Sequence, residues 1–450
     1  MQNLRTKIIA MAGVCILLST ASCKKWISNT PEPLQVDESV IFSTEKGFQE
    51  ALNGVYLQMG AESLYGRDLT IGVLSVLGRS YDANLNENIG DLFYQSARYN
   101  LQDPSLKAYA TKVWINMYQS IANLNNLLVN LESKKSLFTG NNYQKIKGEA
   151  LALRAYLHFD LLRLFAAAPA AGTLSAVGIP YVTSISSTNI AAGTVGAGLD
   201  QCLEDLNAAE TLLDPKDLTN YRINNLVVKG LMARLYLYKG DYKNAAAYSN
   251  TIIKSNKIAF AKNSTDLFFP TEQLFSLYIS QAQTFHKAVL GGQLKFGLSA
   301  AGQTELYATG SGVIADWRKS FVDPLTSLGT GFPFMPRKFS ALGSKTSFPM
   351  MRLTEMYYIA AECAVNATDA VTATALLDSV RIHRNLPKYT LTALNFDSLN
   401  VEIRKEYQKE FIAEGQLFFF FKRKNMPFRS LPFTTVPVDA NATYVFVKPE

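Results

Sequence analysis

The chain has 450 residues, of which 48% are hydrophobic and 18% are charged, and its formal net charge is +7. This balance excludes a disordered chain and predicts a globular protein with a large core. No run of lysine and arginine marks a nucleic-acid or acidic-membrane surface, so we expect no nucleic-acid partner.

The first 22 residues have the pattern of a secretory signal peptide. Arg5 and Lys7 precede an apolar run over residues 8–18, and no acidic residue interrupts them. A membrane-spanning helix needs about 20 apolar residues, so this run is too short to span. We therefore predict that residues 1–22 are not part of the fold.

Cys23 follows the small residues Ala21 and Ser22, an order that resembles the lipobox of bacterial lipoproteins. The resemblance implies that Cys23 is lipidated and becomes the first residue of the mature chain. An ordinary signal peptide cleaved nearby is the alternative. Residues 23–34 contain two prolines and are predicted to form an extended, lipidated tether.

Residues 35–450 are predicted to form a single, mainly α domain with little β structure. In residues 113–131 and 145–165, apolar residues recur every three or four positions, which places them on one face of each helix. A loop with Gly140 and two asparagines separates these segments. The pattern predicts an antiparallel helical hairpin.

Two later segments resemble tetratricopeptide repeats. Residues 224–254 carry small alanines where paired helices approach and Gly240 at the turn. Residues 352–385 have the same layout, and residues 401–424 are predicted to form a final helix. Because such pairs bury their faces only against neighbours, we predict a scaffold of stacked pairs.

Long irregular stretches separate these helical pairs, at about residues 60–104, 166–194 and 261–347. Glycine, serine, threonine and aromatic residues concentrate there. Loops of this length are uncommon in compact proteins unless they serve a function. The sequence therefore predicts a helical scaffold with long loop-rich insertions.

Motifs of the common enzyme classes are missing. The three histidines, His158, His286 and His383, are far apart, and there is no His-Glu-x-x-His or Cys-x-x-Cys motif. Phosphate-binding glycine loops and nucleophile elbows are missing too. We expect no catalytic residues, metal or cofactor, although carboxylates that meet only in the fold could still form a glycosidase site.

Two cysteines remain once the signal peptide and Cys23 are set aside. Cys202 and Cys363 are expected to be small buried residues. Whether they pair depends on their distance in the fold, which the sequence leaves open.

The segment "GEALALRAYLHFDLLRLF" (residues 148–165) resembles the hallmark helix of the SusD/RagB family. Further matches follow in the family's order: "DWRKSF" (316–321), "FPMMRLTEMYYIAAEC" (348–363), "VRIHRNLP" (380–387) and "EYQKEFIAEGQLFFFFKR" (406–423). The family usually has a glycine where this chain has Ala166, and an arginine where it has Tyr407. These departures indicate a divergent branch. Together these motifs extend the resemblance over the whole mature chain.

The resemblance implies an outer-membrane lipoprotein of Bacteroidetes that captures nutrients. Such a protein is lipid-anchored, faces the cell surface, and passes a glycan or oligosaccharide to a SusC-like, TonB-dependent transporter. The family motifs themselves are expected to be structural. Because Glu149, Arg154 and Glu355 lie on helix faces that should be packed, we expect each to be paired.

The resemblance also implies a ligand site formed by an early loop and by the insertion before the Asp-x-Arg element. Sugars have apolar faces and hydroxyl edges, so aromatic rings with nearby polar groups suit them. The candidate ligand-binding residues are Arg79, Tyr81, Asp82, Asn84 and Tyr94 in the early loop, and Phe285, His286 and Tyr307 in the insertion.

Two other functions remain open. A secreted helical-repeat scaffold that binds peptides or proteins would use the same kind of surface. A glycan-processing enzyme is the other alternative, because carboxylates that meet only in the fold could form a glycosidase site.

Overall fold

Helices dominate the fold, as predicted. The computed structural model describes residues 38–81, 92–185, 190–263, 265, 268–290, 298–307, 316–324, 334–336, 338, 347–389, 395–432 and 436–449. The predicted signal peptide, Cys23 and the tether lie outside these residues. The mainly α class with little β structure is confirmed.

The helices are named in chain order. They are α1 Glu38–Ile41, α2 Glu45–Met59, α3 Val73–Leu77, α4 Leu92–Ala97, α5 Pro104–Ser133, α6 Asn142–Phe165, α7 Val195–Leu212, α8 Asn225–Lys239, α9 Tyr242–Ser255, α10 Ala282–Leu290, α11 Ala300–Tyr307, α12 Leu353–Asn366, α13 Ala370–Ile382, α14 Phe396–Glu410 and α15 Gln416–Arg423. The strands are β1 Gln273–Tyr278, β2 Val322–Pro324, β3 Phe334–Pro336 and β4 Ser347–Arg352.

The long helices stack as pairs. Helix α2 packs on α5, α6 on α7, α8 on α9 and α12 on α13, and contacts between α5 and α6, α7 and α8, and α9 and α12 join successive pairs. The predicted hairpin of α5 and α6 is present, although α6 packs more extensively on α7. This arrangement confirms the tetratricopeptide-like scaffold.

The turn between α8 and α9 follows from its residues. The Asn224 side chain caps α8 by accepting a hydrogen bond from the Val227 amide (3.1 Å). Gly240 ends the helix with a φ of +85°, a conformation that glycine adopts without strain. Asp241 then caps α9. The residues at the predicted turn therefore define both helix ends.

Two short antiparallel ribbons complete the described secondary structure. Strand β1 pairs with β4, and β2 pairs with β3. Strand β4 leads directly into α12, so the first ribbon joins the insertion to the scaffold. Within the described residues, no helix is long and apolar enough to cross a membrane.

The predicted irregular stretches contain more structure than the sequence indicated. The first holds a π-helical turn at Glu62–Gly66 and the helices α3 and α4, and most of its residues before Asp82 are buried. The last contributes β1, β2, β3, α10 and α11. The middle stretch has one short 3₁₀ turn in its described part, at Pro169–Ala171.

The predicted final helix over residues 401–424 is wrong as a single element. It divides into α14 and α15, separated by residues 411–415, which we call the junction. Ala413 (φ +60°) and Gly415 (φ +75°) have left-handed backbone conformations. Their amides leave the helical pattern and donate to the hydroxyls of Ser80 (3.1 Å) and Ser75 (3.3 Å).

Both remaining cysteines are free thiols buried in the core, so they do not form a disulfide. The Cys202 thiol lies 3.6 Å from the carbonyl oxygen of Ala155. Burial raises the pKa of the Cys363 thiol to about 12. Both residues therefore act as small core side chains, as predicted.

Candidate functional site

The charged residues of the family motifs are paired inside the scaffold. Each forms a close ion pair: Glu149 with Arg222 (2.8 Å), Arg154 with Asp205 (2.6 Å) and Glu355 with Arg234 (2.7 Å). The pairs of Arg154 and Glu355 join two helices, and Arg222 lies in the loop before α8. The expectation that Glu149, Arg154 and Glu355 are each paired is therefore confirmed.

Two of the three histidines, His158 and His383, have described side chains, and both are held by neighbouring groups. His158 is buried in α6, where it accepts a hydrogen bond from the Val182 amide (3.0 Å), and burial lowers its pKa to about 3. His383 stacks on Phe260 at the end of α13. Among the described residues, no group of three histidine, cysteine, aspartate or glutamate side chains could hold a metal ion.

A buried network of charges lies between the insertion and the scaffold. We call it the charge cluster, and among the described residues its buried members are five cations and five carboxylates. Its members are all buried: Arg318, Lys338, Arg352, Arg384, Lys409, Glu272, Asp316, Glu406, Glu410 and Glu414. Arg381 adds a sixth, less buried cation at the edge, 3.7 Å from Glu406. Each buried charge therefore has a partner of opposite sign.

Glu410 is at the centre of this cluster. Arg384 donates to both of its carboxylate oxygens (2.9 and 3.1 Å), Arg318 donates to one (3.3 Å), and Arg352 also binds it. Burial alone would raise the pKa of Glu410. The three guanidinium groups outweigh burial and hold the pKa well below its ordinary value.

The charge cluster brings four distant sequence motifs together. Arg318 belongs to "DWRKSF", Arg352 is the first residue of "RLTEMYY" and the last of β4, Arg384 ends "VRIHR", and Glu410 lies in "EYQKEF". Glu272, just before β1, binds Arg384 with both carboxylate oxygens (2.8 and 2.9 Å). The motifs that carry the family resemblance therefore anchor the insertion to the helices.

Both predicted ligand regions contact the junction, which follows Glu410 directly. On one side, the Ala413 amide donates to Ser80, which lies between the candidates Arg79 and Tyr81. On the other side, Ile412 belongs to one small hydrophobic cluster with Tyr307. The fold thus brings together two regions that are more than 200 residues apart in sequence.

Four of the predicted ligand residues are buried. Arg79, Tyr81, Phe285 and Tyr307 are at most 8% exposed. The Tyr81 hydroxyl donates to the carbonyl oxygen of Ile71 (2.9 Å). Their side chains therefore expose almost no area for contact with a ligand.

Phe285 also links the two regions directly. It lies in α10, and its ring is so close to Gly66 that a β-carbon at that glycine would come within 2.8 Å of it. The π-helical turn of the early region thus packs against the insertion. Only a glycine permits this close approach.

Of the four remaining candidates, only Tyr94 has a side chain that the structure describes. Tyr94 is half-buried in α4, and the Arg98 guanidinium lies 5.7 Å from the centre of its ring. Asp82 and Asn84 lie outside the described residues, and so does the side chain of His286. Of the predicted residues with described side chains, Tyr94 has the most accessible ring.

The sequence did not mark Tyr278 as a candidate ligand-binding residue. This residue ends β1 with 51% of its surface exposed, and its carbonyl oxygen lies beside Gly60 at the start of the early region. The strand sequence "QLFSLY" shows no feature that separates this ring from core residues. Its exposure depends on where β1 ends.

Two parts of the chain match known protein families. Residues 32–237 match a family described as "Starch-binding associating with outer membrane", and residues 335–429 match a family described as "SusD family". The chain belongs to the SusD/RagB family. The second match includes Arg352, Arg384 and Glu410, the centre of the charge cluster.

Known SusD-like proteins share the fold at low sequence identity. A SusD superfamily structure from Bacteroides thetaiotaomicron is 24% identical, with a TM-score of 0.65 over 84% of this chain and 89% of its own. A SusD-like carbohydrate binding protein from Bacteroides vulgatus is 20% identical, with a TM-score of 0.70 over 84% and 83%.

One curated relative also aligns, the SusD-like protein P2 of Formosa agariphila. It is 23% identical over 247 residues, which cover 54% of this chain. The chain spans 45% of the length of that relative.

Proposed function

We propose that this protein is a lipid-anchored glycan-binding protein of the outer membrane that passes oligosaccharides to a TonB-dependent transporter, without catalysing a reaction on them. Family membership supports the proposal, as does the likeness to a carbohydrate binding protein of the same fold. The observation that carries it is the meeting of two aromatic-rich regions at the junction.

Within this proposal, the candidate residues have two roles. Tyr94 and Tyr278 contact the sugar, because both rings are accessible and flank the early region. Arg79, Tyr81, Phe285 and Tyr307 position that surface from below. Asp82, Asn84 and His286 remain candidates for polar contacts.

Calorimetric titration of the mature protein with a panel of oligosaccharides tests the binding function. We expect saturable heat and unchanged sugar, checked by chromatography after incubation. Tyr94→Ala and Tyr278→Ala should each weaken binding about tenfold, or about 1.4 kcal/mol. Tyr248→Ala serves as the matched control, since Tyr248 is a half-buried tyrosine on the scaffold helix α9.

Other results of these titrations would favour an alternative function or a different contact surface. Heat from peptides and none from glycans would favour the helical-repeat scaffold. Shortened sugar products would favour a glycan-processing enzyme. Glycan binding that survives both substitutions would move the contact surface away from Tyr94 and Tyr278.

The anchor is tested separately from binding. We expect Cys23→Ser to move the protein from the membrane fraction to the soluble fraction, because the thiol that carries the lipid is lost. Cys363→Ser, which changes a buried core thiol, should stay with the membranes. Retention of Cys23→Ser in the membrane fraction would exclude the lipid anchor.

A further inference from the structure

One side of helix α5 faces solvent and yet carries no charge. Residues 113–131 of this helix and residues 164–199, which include the loop after α6, contain no charged residue, although 18% of the whole chain is charged. The scaffold helices α2, α7 and α9 all carry exposed charged residues, as solvent-facing helix sides usually do. Helix α5 therefore differs from them on the side where charges are expected.

Three exposed apolar side chains lie in line along this side of α5. Ile115 and Val129 are 47% and 58% exposed, and exposed Ala122 lies halfway between them. Because seven residues make two helix turns, the three side chains form one stripe about 20 Å long. The stripe is nearly symmetric, with a small residue at its centre and a larger one at each end.

An uncharged part of the loop after α6 widens this surface. The Tyr118 hydroxyl donates to the carbonyl oxygen of Pro180 (2.7 Å), and the Asn125 amide group donates to that of Val182 (2.9 Å). These two hydrogen bonds hold the loop along α5. Ile185, which follows, is 62% exposed. We call the stripe and residues 180–185 the neutral face.

Polar side chains beside the stripe are amides that are bonded within the chain. Asn123 donates to the side chain of Gln58 (3.0 Å), and Asn130 donates to that of Asn126 (2.9 Å). Covering such groups costs less free energy than covering a charge, since their hydrogen bonds remain. The neutral face can therefore be buried without leaving a charge unpaired.

We propose that the neutral face binds the neutral face of a second copy of this chain, with the two α5 helices antiparallel across a twofold axis at Ala122. In a twofold contact the same patch meets itself, so a charge at the axis would meet a like charge. The chain also has a net positive charge, which makes two copies repel each other elsewhere. A surface without charges suits such a contact.

The order of residues in the stripe fits this axis. In the antiparallel arrangement, Ala122 faces Ala122 of the second copy, and Ile115 faces Val129 of the second copy. The small alanines let the helices approach closely, and the larger side chains pack on either side of them. An acidic or a basic partner would instead select a surface of opposite charge.

Sedimentation velocity tests the contact with the mature protein in its Cys23→Ser form, which cannot carry the proposed lipid. We expect the mean mass to rise towards that of a dimer, with a dissociation constant of about 10–100 µM, because the interface is small. Ala122→Glu brings two carboxylates together at the axis and should weaken the dimer at least about tenfold. Ala247→Glu is the control, since Ala247 is exposed on α9, and it should leave the dimer unchanged.

Disulfide crosslinking in the same Cys23→Ser form tests the register of the two helices. Ala122→Cys should crosslink to itself on oxidation, because the axis brings these two side chains together. Ile115→Cys and Val129→Cys should crosslink efficiently only when the two variants are mixed. The two remaining native thiols are buried in the core and give no background.

Loss of the dimer in Ala122→Glu together with the mixed crosslink would support the neutral face as the contact. A protein that stays monomeric over the whole concentration range would overturn the proposal. Dimers that survive Ala122→Glu, or Ala247→Cys that crosslinks as well as Ala122→Cys, would overturn it too. Neither experiment uses a glycan, so these outcomes leave the proposed binding function untouched.

Discussion

At Glu410, one buried carboxylate accepts hydrogen bonds from three guanidinium groups that come from separate parts of the chain. Arg318 lies within the insertion, Arg352 ends β4, and Arg384 follows α13. A buried charge is stable only while its partners are present. The position of Glu410 therefore depends on three elements, and each of them depends on Glu410.

We expect Glu410→Gln to lower the free energy of unfolding by about 3–5 kcal/mol, because the loss of one charge leaves three buried arginines without full compensation. Urea denaturation at pH 7 measures this change. Glu50→Gln is the control, since the Glu50 side chain is 63% exposed beside Lys46. That change should stay within about 0.5 kcal/mol. Equal effects of the two substitutions would show that the charge cluster does not stabilise the fold.

At the scale of elements, the junction between α14 and α15 is the decisive feature. Gly415 has a φ of +75°, and a β-carbon there would collide with the carbonyl oxygen of Leu69. This contact joins the C-terminal helices to the early region that contains α3. The break in the helix therefore brings the early region and the insertion to the same place.

Gly415→Ala should destabilise the protein by more than about 1 kcal/mol, since alanine disfavours this conformation and its β-carbon has no space. Gly54→Ala is the matched control, because Gly54 lies inside α2 with open space around it. We expect that change to stabilise the protein by about 0.5–1 kcal/mol. Urea midpoints measure both. A neutral Gly415→Ala would contradict the close packing at the junction.

At the scale of the whole molecule, the many buried carboxylates make stability depend on pH. Burial alone would raise the pKa of Glu362, but Arg423 and Lys424 outweigh it and lower this pKa to about 2. The pKa values of Glu406 and Glu410 are also lowered. The unfolded chain binds protons at these groups more readily, so falling pH favours unfolding.

We expect the free energy of unfolding to fall steadily as the pH drops from about 5 towards 2, the window between the unfolded and folded pKa values of Glu362. Glu362→Gln should cost about 3 kcal/mol at pH 7, where the buried ion pair is broken. Its difference from the wild type should shrink towards pH 2. Urea midpoints at several pH values test this, and a constant difference would contradict the lowered pKa of Glu362.

The helical scaffold could be predicted because its signals are local. The spacing of apolar residues marked α5 and α6, and Gly240 marked the turn between α8 and α9. The continuous helix over residues 401–424 could not be corrected from the sequence. Its break depends on Ser75, Ser80 and Leu69, which approach from more than 300 residues away.

The candidate site could be predicted only in part for the same reason. Aromatic and polar residues indicated two chain regions that the fold brings to the junction, but the sequence could not distinguish buried Tyr81 from half-buried Tyr94 or exposed Tyr278. Burial depends on what packs above a residue. Tyr307, for example, is buried in a small cluster that includes Ile412 of the junction, more than 100 residues away in sequence.

By itself, the sequence determined the helical class, the paired helices and the family motifs, because periodicity, capping residues and turn glycines act over a few positions. The tertiary structure alone decided that Arg318, Arg352, Arg384 and Glu410 form one cluster, and that the junction joins both candidate regions. Ion pairs and close packing connect residues that are distant along the chain. Their geometry therefore exists only after the helices have stacked.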